Sequence, residues 1–231
     1  MPNSLKILLL RRKGYVGRGV HVGFGSWIDA EKVQLADNVR IGKFTQIKVR
    51  TLVMARDSEI TNWVTVGGMD GPDSYLRLGV GSVIMERCYV NPTFGVSIGA
   101  NVGVGGHTLI FTHGSWGNVL KGYPYQAGGV WILDDVWVPW RCTILPNVKI
   151  GQGSVIGACS LVNKSIPDHC LAVGIPAKVI QTNYPKPLTK AEKEEWNRRI
   201  CEEASAYLNW KRINATSKNI ADFKSRYGIR E

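Results

Sequence analysis

The chain has 231 residues, 44% hydrophobic and 20% charged, which suits one globular domain with a small appendage and excludes wholesale disorder. Its net charge of +11 is uneven: residues 1–56 hold eleven Lys/Arg against three Asp/Glu, residues 57–180 seven against eight, and residues 181–231 eleven against seven. Five scattered cysteines without a CxxC pair exclude a disulfide scaffold or a structural zinc knuckle, and the early apolar run Ile7 to Leu10 is too short for a signal-peptide core or a membrane span.

Residues 1–15 form an N-terminal segment. From Val16 onward, aliphatic residues recur every six positions: Val16, Val22, Ile28, then Ile41, Ile47, Val53, then Ile60, Val66. The series resumes with Leu78, Ile84, Val90, Val96, then Ile98, Val104, Ile110, and after a longer break runs in strict steps of six from Ile132 through Val138, Ile144, Ile150 and Ile156 to Val162. Four positions after the aliphatic there usually stands a small or β-branched residue, as at Ser26, Thr45, Thr51, Ser82, Cys88, Thr108, Cys142 and Ser154. A period of six is neither helical nor that of a simple strand. It describes short strands that each send one aliphatic inward before the chain turns a corner. Three such units close a coil, and stacked coils bury a continuous core.

Interruptions mark where the coil is decorated. One residue is extra between Ile28 and Leu35 and another between Val53 and Ile60; Leu78 stands twelve positions after Val66. A two-residue shift lies between Val96 and Ile98, and the largest interruption, Ile110 to Ile132, predicts an external loop over about residues 111–130. Trp116, Trp131, Trp137 and Trp140 are expected to cluster around that loop. Beyond residue 180 the pattern turns helical. Thr189 to Glu192 reads as a capping box, with Trp196, Ile200, Ala204, Tyr207 and Leu208 on one face, and a second helix is expected over Ser217 to Tyr227, closed by Gly228. The expected organisation is therefore a solenoid over 16–180 and a helical extension over 181–231, whose apolar face would cover an open coil end or a neighbouring subunit.

Ile132 to Ile180 resembles the C-terminal half of the hexapeptide acyltransferases, such as the maltose, galactoside and exopolysaccharide O-acetyltransferases. The matching stretches include Ile144-Leu145-Pro146-Asn147-Val148-Lys149-Ile150-Gly151, Val162-Asn163-Lys164-Ser165-Ile166-Pro167 and Val173-Gly174-Ile175-Pro176-Ala177-Lys178-Val179-Ile180. The resemblance implies a left-handed parallel β-helix, an all-β solenoid assembled as a homotrimer, and acetyl-CoA bound between subunits. It implies a general base at His113, in Thr112-His113-Gly114, that takes the proton of an acceptor hydroxyl. A single imidazole suits the task, because it titrates near neutrality and the transfer needs no covalent nucleophile. His107 is the alternative base; it stands in the same phase one hexad earlier, and so belongs on a different corner. His169 and His21 read as structural and solvated.

By the same resemblance Ala158, Asn163 and Lys164 line the pantetheine arm, Lys178 meets the nucleotide phosphates, and Trp140 or Ala158 borders the thioester, whose developing oxyanion a backbone N–H would hold. Asn91, Trp116 and Tyr123 are candidate acceptor contacts. Pro139 and Trp140 depart from the family's small residues, and Pro139 offers no N–H. No metal is expected, since only His107 and His113 could begin a three-histidine zinc site of the carbonic-anhydrase type.

The expected function is acetylation of a sugar hydroxyl in a saccharide or in a polysaccharide or lipopolysaccharide precursor. N-acetylation of a nucleotide-linked aminosugar and a non-catalytic β-helix scaffold are the alternatives. The basic first quarter suits an anionic partner, a phosphate-linked acceptor or a membrane surface contacted peripherally, whereas no motif supports nucleic acid. The expected location is the cytoplasm, including its inner membrane surface.

Overall fold

A computed structural model describes residues 2–69, 71–114, 117–211 and 216–226, the last five as backbone only. The chain divides into two compact units, Met1–Pro185 and Lys186–Glu231.

The first unit is a parallel β-helix with three ladders of short strands. One ladder stacks Val22, Ile41, Ile60, Ile84, Val104 and Val138. The second stacks Ile28, Ile47, Val66, Val90, Ile110, Ile144 and Val162. The third stacks Val16, Leu35, Met54, Leu78, Ile98, Ile132 and Ile150. All of these are buried except Ile28, which is partly buried, so the six-residue period is the core itself. Each fully buried aliphatic contributes about 1.5–3 kcal/mol of transfer free energy.

At many turns the residue four after the core aliphatic ties one coil to the next; at others it is a buried valine, as at Val39 and Val64. Ser26 Oγ donates to the Gly42 carbonyl at 2.6 Å, Thr45 Oγ1 to Thr61 at 2.6 Å, Ser82 Oγ to Gly99 at 2.6 Å and Ser154 Oγ to Pro167 at 2.7 Å. Cys88 and Cys142 take equivalent places, their sulfurs 3.2 and 3.3 Å from the carbonyls of Gly105 and Gly157. These small side chains are buried because each offers a buried carbonyl the donor it needs.

The structure corrects the phase at one point. Met54, not Val53, faces the core. The strand Gln46–Met54 is nine residues long, pairs in register with Trp27–Leu35, and flips its inward alternation around Arg50-Thr51. The extra residue therefore falls inside the strand, where the chain bends between two faces, and Thr51 is accordingly only half-buried.

The N-terminal segment contains an unforeseen helix, α1 (Asn3–Arg11). It covers the exposed edge of the first coil: Leu10 is buried, Asn3 Oδ1 accepts from the Val22 N–H at 2.8 Å, and Lys6 Nζ donates to the Gly23 carbonyl. Edge amides that no strand pairs are thus satisfied by side chains. Desolvation there lowers the Lys6 pKa. At the other end Cys170–Val173 turns back through Gly174–Ala177 to pair antiparallel with Lys178–Thr182.

The second unit holds α2 (Lys190–Trp210) and α3 (Ser217–Arg226). The capping box is present: Glu192 N donates to Thr189 Oγ1, and Glu192 Oε2 accepts from Thr189 Oγ1 and from Thr189 N, two bonds that lower the carboxyl pKa, the hydroxyl's the more. Ala204 and Leu208 are buried as expected of the apolar face, but Trp196 and Tyr207 are exposed; the protected side of α2 instead adds Cys201 and Ser205. Tyr227 and Gly228 lie outside the described residues. No described helix is long and apolar enough to cross a membrane.

Candidate functional site

Each coil turns three corners. Corner I comprises residues 23–26, 42–45, 61–64, 85–88, 105–108, 139–142 and 157–160; corner III comprises 17–20, 36–39, 55–58, 79–82, 99–102, 133–136 and 151–154. Every turn at these two corners has four residues. Corner II is a bend within a continuous strand in the first two coils, then an eight-residue excursion (67–74), a five-residue turn (91–95) and the long loop (111–129), before returning to a four-residue turn at 145–148.

His113 stands at the base of that loop. It forms an isolated antiparallel bridge with Ala127, and flanking bonds from Gly114 N to the Gln126 carbonyl and from Gly128 N to the Thr112 carbonyl, both 2.9 Å, pinch the loop shut. Asn147 fastens the same base by donating from Nδ2 to the Ala127 carbonyl at 2.9 Å. The His113 ring lies edge-on to Phe94, with centroids 6.4 Å apart. Its Nδ1 is buried and has no hydrogen-bond partner among the described residues. An imidazole nitrogen held in that state costs about 1–3 kcal/mol.

Beneath the histidine lies a buried polar brace. Thr112 Oγ1 donates to the Asn91 carbonyl at 2.9 Å and accepts from Phe94 N at 3.1 Å. Asn91 Oδ1 accepts from Thr93 N and Thr93 Oγ1 at 3.2 and 2.8 Å. Asn91 is buried, so its side-chain carbonyl serves the turn that carries Phe94 beneath the ring. Phe94 and Thr93 were not singled out from the sequence, although the phase slip between Val96 and Ile98 marked their turn. Lower on the same corner, a cavity of about 420 Å³ is lined by Asp29, Glu31, Lys48, Arg50 and Pro72; Arg50 reaches both Glu31 Oε2 at 3.0 Å and the Pro72 carbonyl at 3.2 Å.

Tyr123 is exposed on the loop with its ring against Gly117, and Trp116 lies outside the described residues. Asn163 and Lys164 are exposed on corner II two coils beyond His113, and Lys178 is exposed in the final antiparallel strand. Trp140 and Ala158 are exposed on corner I, as is His107, which occupies a left-handed turn position (φ 60°). The two candidate histidines thus lie on different corners. One chain therefore brings Asn91, His113 and Tyr123 to one corner, and holds Trp140 and Ala158 on another.

The expected tryptophan cluster does not form among the described residues. Trp131, Trp137 and Trp140 point outward from the third ladder, the first ladder and corner I, because a period of six carries successive hexads to different faces. Trp140 has a fixed seat: its indole covers Gly106, where an added Cβ would come within 3.1 Å of Nε1. Pro139 interrupts the rung in which Gly105 N bonds the Val138 carbonyl and Gly157 N the Ala172 carbonyl. It cannot be the oxyanion donor.

Burial raises the Cys88 thiol to about 11 and also raises Cys142, so both are unreactive thiols at neutral pH. No group of three His, Cys, Asp or Glu among the described residues could hold a metal ion.

No protein-family model matches the chain. It is 34% identical over 113 residues to the Bacillus subtilis protein named "Putative acetyltransferase YvoF", covering 47% of this chain and 63% of that protein. It is 33% identical over 107 residues to the serine acetyltransferase of Bacillus pumilus, covering 46% and 48%. The chain thus spans less than two thirds of either relative. Among solved structures, the hexapeptide-repeat acetyltransferase VCA0836 of Vibrio cholerae, complexed with acetyl-CoA, overlaps at 20% identity with a TM-score of 0.41, covering 79% of this chain and 78% of that one.

Proposed function

We propose that the chain is a hexapeptide-repeat acetyltransferase and that it transfers an acetyl group from acetyl-CoA to a sugar hydroxyl of a saccharide or polysaccharide precursor, with His113 as general base. The observation that carries this reading is the placement of His113 at the pinched base of the longest loop, its Nδ1 buried and without a described partner. Native structures seldom leave such an atom unsatisfied, and catalytic groups are a standing exception. With Nδ1 closed off, Nε2 is the atom an acceptor hydroxyl can reach. Nε2 takes the hydroxyl proton as the oxygen attacks, and returns it to the departing thiolate. Bound acetyl-CoA supplies the activated acyl thioester. The ring keeps its orientation through Phe94 and through the brace of Asn91, Thr93 and Thr112. Trp140 and Ala158 lie on a different corner from His113, which favours a site built from two copies of the chain, as in a homotrimer.

Calorimetric titration with acetyl-CoA tests the reading. Saturable binding of about one molecule per protomer is expected, retained in His113→Ala, whereas acetyl transfer to a saccharide acceptor falls by about 10²–10⁴-fold in that variant. Absence of binding up to millimolar acetyl-CoA overturns it.

A further inference from the structure

We propose that the N-terminal end of the β-helix is a docking face for an anionic lipid bilayer, independent of the acetyl-transfer reading. Helix α1 has two apolar sides. Ile7 and Leu10 face the first coil, while Leu5, Leu8 and Leu9, spaced i, i+3, i+4, are 43%, 54% and 40% exposed. An outward leucine stripe on a helix already anchored by its other face has no role in capping the coil. Around it the chain is purely basic: Lys6, Arg11, Arg12, Lys13 and Arg18 precede the first acidic residue, Asp29. Phe24 and Trp27 of the first coil are exposed at 68% and 45%. Between helix and coil lies a cavity of about 360 Å³ lined by Lys6, Leu9, Leu10, Val22, Trp27 and Ile28. Apart from Lys6 and Ser26 its lining carries no polar side chain except the Trp27 indole N–H.

Apolar side chains and an indole beside clustered cations are the chemistry that seats a short helix at the headgroup boundary. Leucines enter the acyl region, and guanidinium groups meet lipid phosphates. A protein partner of the same charge complementarity would need an acidic surface with a matching apolar groove. A bilayer supplies both without shape matching, which suits a convex helix. Lys13 is shared with Asp29 at 3.7 Å and Arg18 with Asp37 at 3.9 Å, so Arg11 and Arg12 are the cleaner test positions.

The test is co-sedimentation of the full chain with phosphatidylcholine vesicles with and without phosphatidylglycerol, in the absence of acetyl-CoA. Binding to the anionic vesicles is expected, screened by added salt. Each Arg is expected to contribute roughly five-fold, so R11Q/R12Q should weaken partitioning about twenty-five-fold. L5S/L8S/L9S, which changes only exposed positions, should weaken it at least ten-fold with unchanged circular dichroism. Equal or absent binding to both vesicle types overturns the proposal, as does indifference to R11Q/R12Q. A fall in sedimentation mass of L5S/L8S/L9S without vesicles, with no vesicle binding by the wild type, assigns the face to a second copy and likewise overturns it.

Discussion

Corners II and III share one solenoid but are built differently. Corner III repeats a four-residue turn whose left-handed position is filled by Gly19, Asn38, Asp57, Gly81, Asn101, Asp135 and Gly153, the residues that tolerate positive φ at least cost. Its side chains also bond from coil to coil, Asn38 to Asp57 at 3.0 Å and Asn101 to Asp135 at 3.1 Å. Corner II holds the bent strands, the excursion, the five-residue turn and the loop, and with them His113. The difference teaches that a coil can accept irregularity on one corner while the other two keep the strands stacked. Corner I stands between these extremes. Its turns are regular, yet after Gly25 in the first turn its left-handed positions carry Phe44, Trp63, Arg87, His107, Arg141 and Cys159.

The sharpest way to break the contrast is to move the irregularity. One residue inserted between Asp134 and Asp135 should cost on the order of 4 kcal/mol or prevent folding, since it disturbs stacked turns on both sides. A glycine inserted between Leu120 and Lys121 should cost under about 1 kcal/mol, as added loop length is cheap. Urea unfolding measures both, and equal costs would erase the distinction. Next in size is Asn91→Ala, which leaves the two Thr93 donors without their acceptor and should cost about 2 kcal/mol by the same measurement. Smallest is Phe44→Gly on corner I. It relieves about 1 kcal/mol of left-handed strain and loses a ring stack on Trp63, at 4.4 Å, of similar worth. Net stability should move by less than about 1 kcal/mol; a loss well beyond that would make the aromatic stack a structural necessity.

The regular parts were legible because period and burial have the same cause. Ile132 through Val162 keep a strict step of six, and all are buried. The phase at Val53 was not legible, because Val53 and Met54 are both apolar and only the register with Leu35 decides between them. Helix α1 escaped notice because its two apolar sides blur the single stripe by which a surface helix is recognised. At the site, the loop and His113 stood out as a break in period. The Phe94 contact and the Asn91 brace did not, since a five-residue turn shows in sequence only as a slip of two.

The most direct test of the central claim is the rate of acetyl transfer from acetyl-CoA to a saccharide acceptor, compared between wild type, His113→Ala and His107→Ala at matched thermal stability. A base on corner II predicts a loss of at least a hundred-fold for His113→Ala and less than about five-fold for His107→Ala. Transfer preserved in His113→Ala, or abolished in His107→Ala alone, would contradict it.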